Sequence, residues 1–543
     1  MRVILSLLRH GGARVVLAAA LGLASGASLA WMLSLLNAAI NAASERDALS
    51  GAWFVVACVA VLVSTAGAQL VLIRIAQSIV LGLQLRLLRA IVAAPLRALE
   101  EIGAPRLLSA LTADVDAVSR AAPWVAGVLT NSSIITACLV YLSSRSAGLV
   151  VVLLVALVAG GSTYLYFARQ GMRSIRAAAE ARDALFRHFR AATEGVKELK
   201  LHRSWRTRFL DDLLRADALR FRAARIRGTS IFAATGAWGI TFFFLTAGAV
   251  VFVAPVMITV DPQTLVEFSV GVVVMITPVR ALMNGIPELA RSSVALARVD
   301  ELGLALDATR EAEPDLVDQS EAGRMEQIEL RDIAFAFESE GEERGFSVGP
   351  LDLTVRAGEL VFIVGANGSG KSTLAKLITG LYTPTAGRIV VDGRAIGTAE
   401  RERYRALFSA VFADYYLFDE LLGGALGERQ GDANRYLERF GLDHKVRLSG
   451  RRLSTTALSS GQRKRLALLA CVLEDRPILV LDEWAADQDP RFKEIFYREL
   501  LSELRARGKT IIAITHDERY FDVADRVIRL DDGQLVTLRG TPG

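Results

Sequence analysis

The chain has 543 residues, of which 52% are hydrophobic, and it carries a formal net charge of +5. This length allows more than one domain. A mean hydropathy of +0.36 is high for a soluble protein but too low for a chain that lies in a membrane throughout. The three cysteines, Cys58, Cys138 and Cys471, share no spacing pattern, which argues against a disulfide framework or a zinc site.

Apolar residues concentrate in the first three hundred positions, where six segments are long enough to cross a bilayer, which takes ~20 residues each. The segments are approximately Val15–Leu36, Ala52–Ile75, Trp124–Leu142, Gly148–Phe167, Ile231–Val253 and Val266–Met283. The first could also be a secretory signal with a small-residue cleavage site at 27–30. We favour a membrane span, because the apolar run continues past that site.

The connections between these segments predict their orientation. Three of them are short and poor in basic residues, whereas 76–123 and 168–230 are long and basic, and the second holds sixteen Lys or Arg. Positive charge marks the cytoplasmic side of a membrane. We therefore expect both long connections and the N-terminus, with Arg2, Arg9 and Arg14, in the cytoplasm, and we attribute the net charge to these loops rather than to nucleic-acid binding.

Both long connections are rich in Ala, Leu and Arg, which predicts helices that leave the membrane and return to it. Turns are expected at 103–105 and at 194–200. Basic helices lying on lipid headgroups are the alternative. Four acidic residues of the first connection argue against simple binding to anionic lipid: Glu100, Glu101, Asp114 and Asp116.

The composition changes after residue 300, which predicts four parts of the chain. Residues 1–300 form a membrane domain, 301–325 an acidic linker around Pro314, 326–537 a soluble domain of alternating strands and helices, and 538–543 a tail. Polar residues also occur inside the spans, among them Asn131, Ser133 and Tyr164. They either line a route through the membrane or return their hydrogen bonds to their own helix.

A phosphate-binding loop is the first motif of the soluble domain. The apolar strand 361–364 runs into Gly-Ala-Asn-Gly-Ser-Gly-Lys-Ser and then into a helix, which is the P-loop pattern in its required context. Glycines allow backbone N–H groups to surround phosphate. The residues expected to bind nucleotide here are Gly365, Asn367, Gly368, Ser369, Gly370, Lys371, Ser372 and Thr373, with the lysine on the terminal phosphates and Ser372 also on Mg²⁺.

Two further motifs lie between residues 458 and 483. Leu-Ser-Ser-Gly-Gln at 458–462 places backbone N–H groups at the start of a helix, which favours an anion. The aliphatic run 478–481 predicts a buried strand that ends in Asp482 and Glu483. Carboxylates at the carboxyl end of a strand in an open α/β sheet lie where ligands bind.

The order and spacing of these motifs resemble those of the ATP-binding-cassette (ABC) ATPases. The resemblance implies that Ser460, Gly461 and Gln462 serve the ATP held by a second cassette, so that the chain works as a homodimer. It also implies that Asp482 helps to hold Mg²⁺ and that Glu483 orients or deprotonates the attacking water.

The same resemblance assigns two further residues. His516, after the strand 510–515, matches the switch histidine that contacts the γ-phosphate. Phe337 matches the aromatic residue that stacks on adenine. Its position favours it over Phe335, although core packing is a rival explanation for an aromatic ring at strand spacing.

Two departures from the family pattern narrow the prediction. The family's Mg²⁺-linked glutamine is replaced by Ala413, and Asp414 is a candidate substitute ligand. The loop after the acidic pair reads WAADQDP rather than the common small-residue version. Together with FSAVFADYYLFD and LSSGQRKRLALL, it resembles the bacterial subfamily that exports cyclic peptides and peptide siderophores, including the pyoverdine- and syringomycin-type exporters.

Six spans followed by one cassette resemble an exporter half-transporter. We expect a multidomain membrane protein, with an all-α six-helix transmembrane domain of the type I ABC exporter fold followed by an α/β P-loop domain. The expected function is ATP- and Mg²⁺-dependent export of a cyclic peptide or peptide siderophore across the bacterial inner membrane. A periplasmic or outer-membrane partner remains open.

The main alternative is a lipid or drug exporter of the same architecture. A soluble-type ATPase acting on nucleic acid or ribosomes is disfavoured by the six spans. An importer is disfavoured because the long cytoplasmic loops and the cassette share one chain with the spans. An ATP-gated channel would conduct passively and would need no turnover.

Overall fold

The computed structural model describes residues 2–41, 48–257, 260–308, 311, 325–337, 346–422 and 430–540. Most of the predicted linker lies outside these residues, as do the short outer connection at 45–47 and positions 541–543 of the predicted tail. The chain divides into two compact units. The first comprises Met1–Ala90 and Ala104–Ala305, and the second comprises Ile91–Gly103 and Leu306–Gly543.

In the described residues of the first unit, every regular secondary-structure element is a helix. Its helices are α1 (Arg2–Asn41), α2 (Ala48–Ala93, which continues into the second unit), α4 (Ala104–Ser109), α5 (Val115–Ser143), α6 (Ala147–Glu194), α7 (Val196–Leu201), α8 (Arg203–Thr207), α9 (Arg215–Gly248), α10 (Ala254–Met257) and α11 (Pro262–Ala308). Wider π-helical turns at Ala110–Asp114, Arg208–Leu214 and Ala249–Val253 connect five of these helices: α4 to α5, α8 to α9, and α9 to α10.

Six helical segments among the described residues are long and apolar enough to cross a membrane, which confirms the predicted spans. They are Ala13–Ala39, Gly51–Ala93, Ala104–Ser143, Ala147–Glu194, Arg203–Val253 and Pro262–Asp307. The longest uninterrupted helix, α6, has 48 residues. At a rise of about 1.5 Å per residue it extends roughly 70 Å, more than twice the thickness of a hydrocarbon core. Such a helix projects well beyond the bilayer, as the composition of the long connections predicts.

Glycines allow the membrane helices to approach one another closely. A Cβ atom on Gly26 of α1 would lie 2.7 Å from the carbonyl oxygen of Ser133 on α5. One on Gly228 of α9 would lie 2.9 Å from the side chain of Ile175 on α6. Because lipid tails are as apolar as side chains, helix association in a membrane depends on this close packing.

The polar side chains inside the spans are mostly accounted for by local bonds. Asn131 Nδ2 donates to Gly127 O at 2.6 Å and Ser133 Oγ donates to Leu129 O at 2.9 Å, so both return to their own helix. Tyr164 instead donates from its hydroxyl to Met283 O on another helix, at 2.5 Å. This pattern gives Asn131 and Ser133 a structural explanation and leaves Tyr164 as a link between helices.

The second unit is a layered α/β domain. Its strands are β1 (Gln327–Ala336), β2 (Ser347–Arg356), β3 (Leu360–Val364), β4 (Ala386–Val391), β5 (Arg394–Ala395), β6 (Phe408–Val411), β7 (Leu448–Ser449), β8 (Arg452–Leu453), β9 (Ile478–Asp482), β10 (Thr510–Ile514), β11 (Arg526–Asp531) and β12 (Gln534–Gly540). Its helices are α3 (Leu96–Ile102), α12 (Lys371–Ile378), α13 (Arg401–Arg405), α14 (Gln430–Arg439), α15 (Ser460–Glu474), α16 (Pro490–Glu494) and α17 (Leu501–Ala506).

A six-stranded sheet with the order β12-β11-β3-β10-β9-β6 forms the centre of this domain. All its neighbours pair in parallel except β12 with β11. Every residue of β3, β9 and β10 is buried, as expected for a parallel sheet covered on both faces. The carboxyl ends of these strands share one edge, which brings the P-loop, the acidic pair and the segment before His516 together.

The tip of the first long connection belongs to the second unit. It is the short helix α3, which ends at Gly103, where φ is 82°. Lys376 Nζ on α12 lies 2.8 Å from Glu100 Oε1, and Tyr382 donates a hydrogen bond to the same carboxylate. The guanidinium of Arg97 lies 5.3 Å from the ring centre of Phe335. Acidic and basic side chains of this turn therefore contact the α/β domain.

Candidate functional site

The P-loop connects β3 to α12 and is shaped by glycines with positive φ. Gly365 has a φ of 154°, and a Cβ atom there would lie 2.2 Å from Leu530 O. Gly370 has a φ of 98°, and its Cβ would lie 2.6 Å from Val348. A side chain at either position would collide with neighbouring atoms, so the loop conformation requires these glycines. The predicted residues Asn367, Gly368 and Ser372 are exposed on the loop or at the start of α12, and Thr373 is half-buried there.

Lys371 is folded onto the loop that precedes it. Its side chain is buried, and Nζ donates to the carbonyl oxygens of Gly365 at 3.1 Å and Ala366 at 2.9 Å. Nζ also lies 3.9 Å from Glu483 Oε1. The ammonium is thus held at the loop, where it can meet phosphate oxygens.

Asp482 lies at the end of β9 with a relative exposure of 1%. Burial raises its pKa, while hydrogen bonds from the Ser372 side chain and the Ala413 backbone oppose that rise. Its Oδ1 atom and the Ser369 hydroxyl are buried without a hydrogen-bond partner among the described residues. The carboxylate of Asp482 and the hydroxyl of Ser372, which is hydrogen-bonded to it, form the hard oxygen donor set that Mg²⁺ prefers, so these two residues fit the metal.

Glu483 follows with left-handed backbone angles, φ 48° and ψ 33°. Its N–H donates to Ile514 O of β10 at 3.1 Å. This conformation turns the side chain toward His516, whose Nε2 lies 3.2 Å from Glu483 Oε1. A carboxylate, a histidine and the P-loop lysine therefore converge at one sheet edge, where they can act on a phosphoanhydride bond and a water molecule.

The two candidate adenine-stacking rings have different surroundings. Phe335 is 1% exposed and stacks on Tyr382, with ring centres 4.7 Å apart. Phe337 is 38% exposed and lies 6.4 Å from the ring of Phe346. A Cβ atom on Gly370 would in turn lie 3.0 Å from Phe346. Phe335 is therefore a core residue, whereas Phe337 presents an open ring next to the P-loop.

The predicted signature residues begin α15. Ser459 caps this helix, and the side chain of Gln462 returns to the Ser459 backbone, which completes a capping box. Ser460 is exposed, and Gly461 lies against the loop after the acidic pair. Over the described ranges, no hydrogen bond or ion pair joins Ser460, Gly461 or Gln462 to the P-loop.

The loop that lacks the family glutamine contacts the acidic pair through its backbone. Ala413 reaches Asp482 by a backbone hydrogen bond, and Asp414 is exposed. In the described part of the chain, no cluster of three or more His, Cys, Asp or Glu side chains forms a metal site. Asp414 therefore stays a predicted Mg²⁺ ligand that is not part of any such cluster among the described residues.

Sequence reasoning missed two residues that lie beside the site. Phe346 follows an interval of polar residues with no motif, so only its place against Gly370 reveals it. Lys464 is a buried lysine of α15 whose Nζ lies 3.1 Å from Glu483 O. The available signal was a lysine on the buried side of a helix, where the other residues are apolar.

Known proteins of one family match both units. The profile described as ABC transporter transmembrane region matches residues 13–279, and the profile described as ABC transporter matches residues 348–486. The ATP-binding protein SyrD of Pseudomonas syringae pv. syringae is 36% identical over 526 residues, which cover 95% of this chain and 92% of SyrD.

Two further similarities concern part of the chain or the fold alone. The ATP-dependent lipid A-core flippase of Alkalilimnicola ehrlichii is 28% identical over 295 residues, 51% of this chain and 48% of the flippase. The structure of a bacterial Atm1-family ABC exporter with ATP bound matches with a TM-score of 0.75 at 18% identity, covering 98% of this chain and 95% of that chain.

The predicted exporter fold is thereby confirmed, with six membrane helices followed by the P-loop domain. The P-loop, the acidic pair and the two family profiles give the chain an ATP-binding domain joined to a transmembrane region. The chain belongs to the ABC transporter family and is a multi-pass membrane ATPase whose turnover drives export.

Proposed function

We propose that the protein exports a peptide-like molecule, a cyclic peptide or a peptide siderophore, across the bacterial inner membrane. The similarity to SyrD supports this proposal because it covers 95% of the chain, membrane helices included. Motifs of the ATPase domain resemble the same exporter subfamily. The basic connections favour an ATPase domain and an N-terminus on the cytoplasmic side.

The observation that best supports ATP hydrolysis is that His516 and the P-loop lysine both lie close to the Glu483 carboxylate. Its carboxylate lies 3.2 Å from His516 and 3.9 Å from the P-loop lysine. We assign Glu483 to the attacking water and His516 to the γ-phosphate. Ser372 and Asp482 would hold Mg²⁺, which supplies positive charge to the phosphates when bound, and Phe337 would stack on adenine.

The active form proposed here is a homodimer. The P-loop residues and the signature residues of one chain are not joined by hydrogen bonds or ion pairs in the described residues. A second copy would supply Ser460, Gly461 and Gln462 to the nucleotide on the first, as the family resemblance implies.

Replacement of Glu483 by glutamine tests the catalytic assignment. The amide keeps the size of the side chain but cannot accept a proton, so kcat should fall by about 10²- to 10⁴-fold while ATP binding stays intact. Hydrolysis by purified protein in lipid nanodiscs and binding of a fluorescent ATP analogue measure the two effects. Wild-type turnover in Glu483→Gln would refute the assignment.

Export of lipid is the second candidate, because a lipid A-core flippase matches about half of the chain. ATPase activity of the reconstituted protein distinguishes the two cargo classes. We expect stimulation by cyclic peptides or peptide siderophores above the rate in plain vesicles. Stimulation by lipid A-type lipids, with none by any peptide, would favour the second candidate.

A further inference from the structure

The helix that carries the signature residues is joined directly to the loop that follows Glu483. A Cβ atom on Gly461 would lie 2.8 Å from Asp487 O, and Gln488 Nε2 donates to Gly461 O at 3.0 Å. One turn later, Arg465 donates to Gln488 Oε1 at 2.8 Å and pairs with Asp489 at 2.6 Å. Helix α15 and the loop after Glu483 are therefore held together by several hydrogen bonds and an ion pair.

Lys464 lies in the middle of this connection and is buried, with 8% of its side chain exposed. Its Nζ donates to the main-chain oxygen of Glu483 at 3.1 Å and lies 2.9 Å from Asp487 Oδ2. A buried ammonium is stable only when its charge and its donors are satisfied. The Asp487 carboxylate balances the charge of Lys464, and the main-chain oxygen of the proposed catalytic residue accepts one of its hydrogen bonds.

Trp484 makes a further hydrogen bond between α15 and the segment that starts at Glu483. Its indole Nε1 donates to Lys464 O at 2.7 Å, and the side chain is 1% exposed. The ring packs on Phe496, with centres 4.4 Å apart. The unusual tryptophan after the acidic pair thus anchors the backbone of α15 next to Glu483.

Glu483 needs such support because its backbone is left-handed. Residues other than glycine rarely adopt this conformation and keep it only when their surroundings hold it. The N–H of Glu483 is held by β10 and its carbonyl accepts from Ala486 N at 3.2 Å and from Lys464. Of these bonds, the one from Lys464 comes from the signature helix.

We infer that Lys464 is a positioning residue for ATP hydrolysis, which holds the main chain of Glu483 so that its carboxylate faces His516. This inference rests on the role proposed for Glu483. In the proposed homodimer, the start of α15 would also contact the nucleotide bound to the partner copy. Lys464 would then join the base of one ATP site to the signature of the other.

Lys464→Met tests the inference, because methionine keeps most of the apolar stem and removes the donors. We expect kcat for ATP to fall by about 10- to 100-fold, since small displacements of a reacting group cost this much. KM and the affinity for a fluorescent ATP analogue should stay unchanged. The assays use the full-length protein in nanodiscs, with thermal unfolding followed in parallel.

Lys509→Met is a closely matched control. Lys509 Nζ likewise donates to the carbonyl oxygen of a left-handed acidic residue, Asp475, at 2.8 Å and pairs with its carboxylate at 2.8 Å. This pair lies at the opposite ends of β9 and β10 from Glu483. We expect the Lys509→Met substitution to lower the unfolding temperature about as much as Lys464→Met does and to leave kcat unchanged.

A second variant, Trp484→Phe, removes the indole donor to Lys464 O together with part of the buried ring, and should lower kcat in the same sense. It decides the question if Lys464→Met fails to fold. Unchanged kcat in Lys464→Met, or a loss of nucleotide affinity together with kcat, would overturn the inference. Glu483→Gln is measured beside them: active Glu483→Gln refutes the proposed base, whereas inactive Glu483→Gln with fully active Lys464→Met refutes only the positioning role.

Discussion

Asp482 is a buried acidic residue with one carboxylate oxygen left unpartnered within the described ranges. Its carboxyl group is buried at 1% exposure, and Oδ1 has no hydrogen-bond partner among the described residues. Burial raises its pKa, so the folded protein favours the protonated form more than the unfolded chain does. Stability from this group is present at acid pH and is lost as the pH rises through the raised pKa.

The variant Asp482→Asn tests this description, because asparagine resembles the protonated acid. At neutral pH and without metal, we expect the variant to be more stable than the wild type by about 1–3 kcal/mol, with the difference vanishing toward low pH. Thermal unfolding across a pH series measures it. We also expect Mg²⁺ to strengthen binding of a non-hydrolysable ATP analogue in the wild type only, and an equal effect in Asp482→Asn would exclude this carboxylate as a ligand.

Short elements connect the nucleotide site to the first long connection. Glu100 of α3 meets Lys376 of α12 at 2.8 Å and accepts from Tyr382, whose ring stacks on Phe335. Phe335 packs edge-on against Phe337, with centres 5.1 Å apart. A displacement of the P-loop helix or of the proposed adenine-stacking ring would therefore change the contacts that hold α3.

Glu100→Gln should weaken this connection without unfolding the domain. The pair is partly exposed, so we expect a stability loss of only about 0.2–1 kcal/mol. Basal ATPase activity should persist, whereas stimulation by cargo should decline. Glu101→Gln is the control, because Glu101 pairs with Arg97 inside α3 at 2.9 Å. Equal cargo stimulation in both variants would contradict a coupling role for Glu100.

The elements of the site differ in how far the sequence alone can predict them. The P-loop and the acidic pair can be predicted from local patterns. Each lies directly after a buried strand, so a short contiguous segment is enough to place it. Lys464 and Glu483 are separated by 19 residues, and Glu100 and Lys376 by 276. Such contacts arise from packing between elements, and a single sequence carries no local signal for them.

At the scale of the whole molecule, the proposed ATP site requires two chains. The signature residues start α15, and the P-loop precedes α12, without bonds between them in the described part of the structure. Symmetric dimers would form two equivalent sites, each with a P-loop from one chain and a signature from the other.

Mixing two inactive variants tests this arrangement. Lys371→Ala removes the P-loop ammonium and Ser460→Arg blocks the signature, so each homodimer should be inactive. A mixed dimer would keep one site with both parts intact. By statistical mixing of equal amounts, up to about a quarter of wild-type ATPase activity should return. Activity that stays absent in dimers shown to contain both chains would argue against shared sites.

ATP-driven movement of a peptide across a membrane is the most direct measurement of the proposed function. Inside-out vesicles containing the protein should accumulate a labelled cyclic peptide or peptide siderophore when ATP and Mg²⁺ are added. Vesicles with Glu483→Gln should accumulate none, because they bind ATP without turnover. Equal accumulation with and without ATP, or uptake by Glu483→Gln at the wild-type rate, would contradict an ATP-driven exporter.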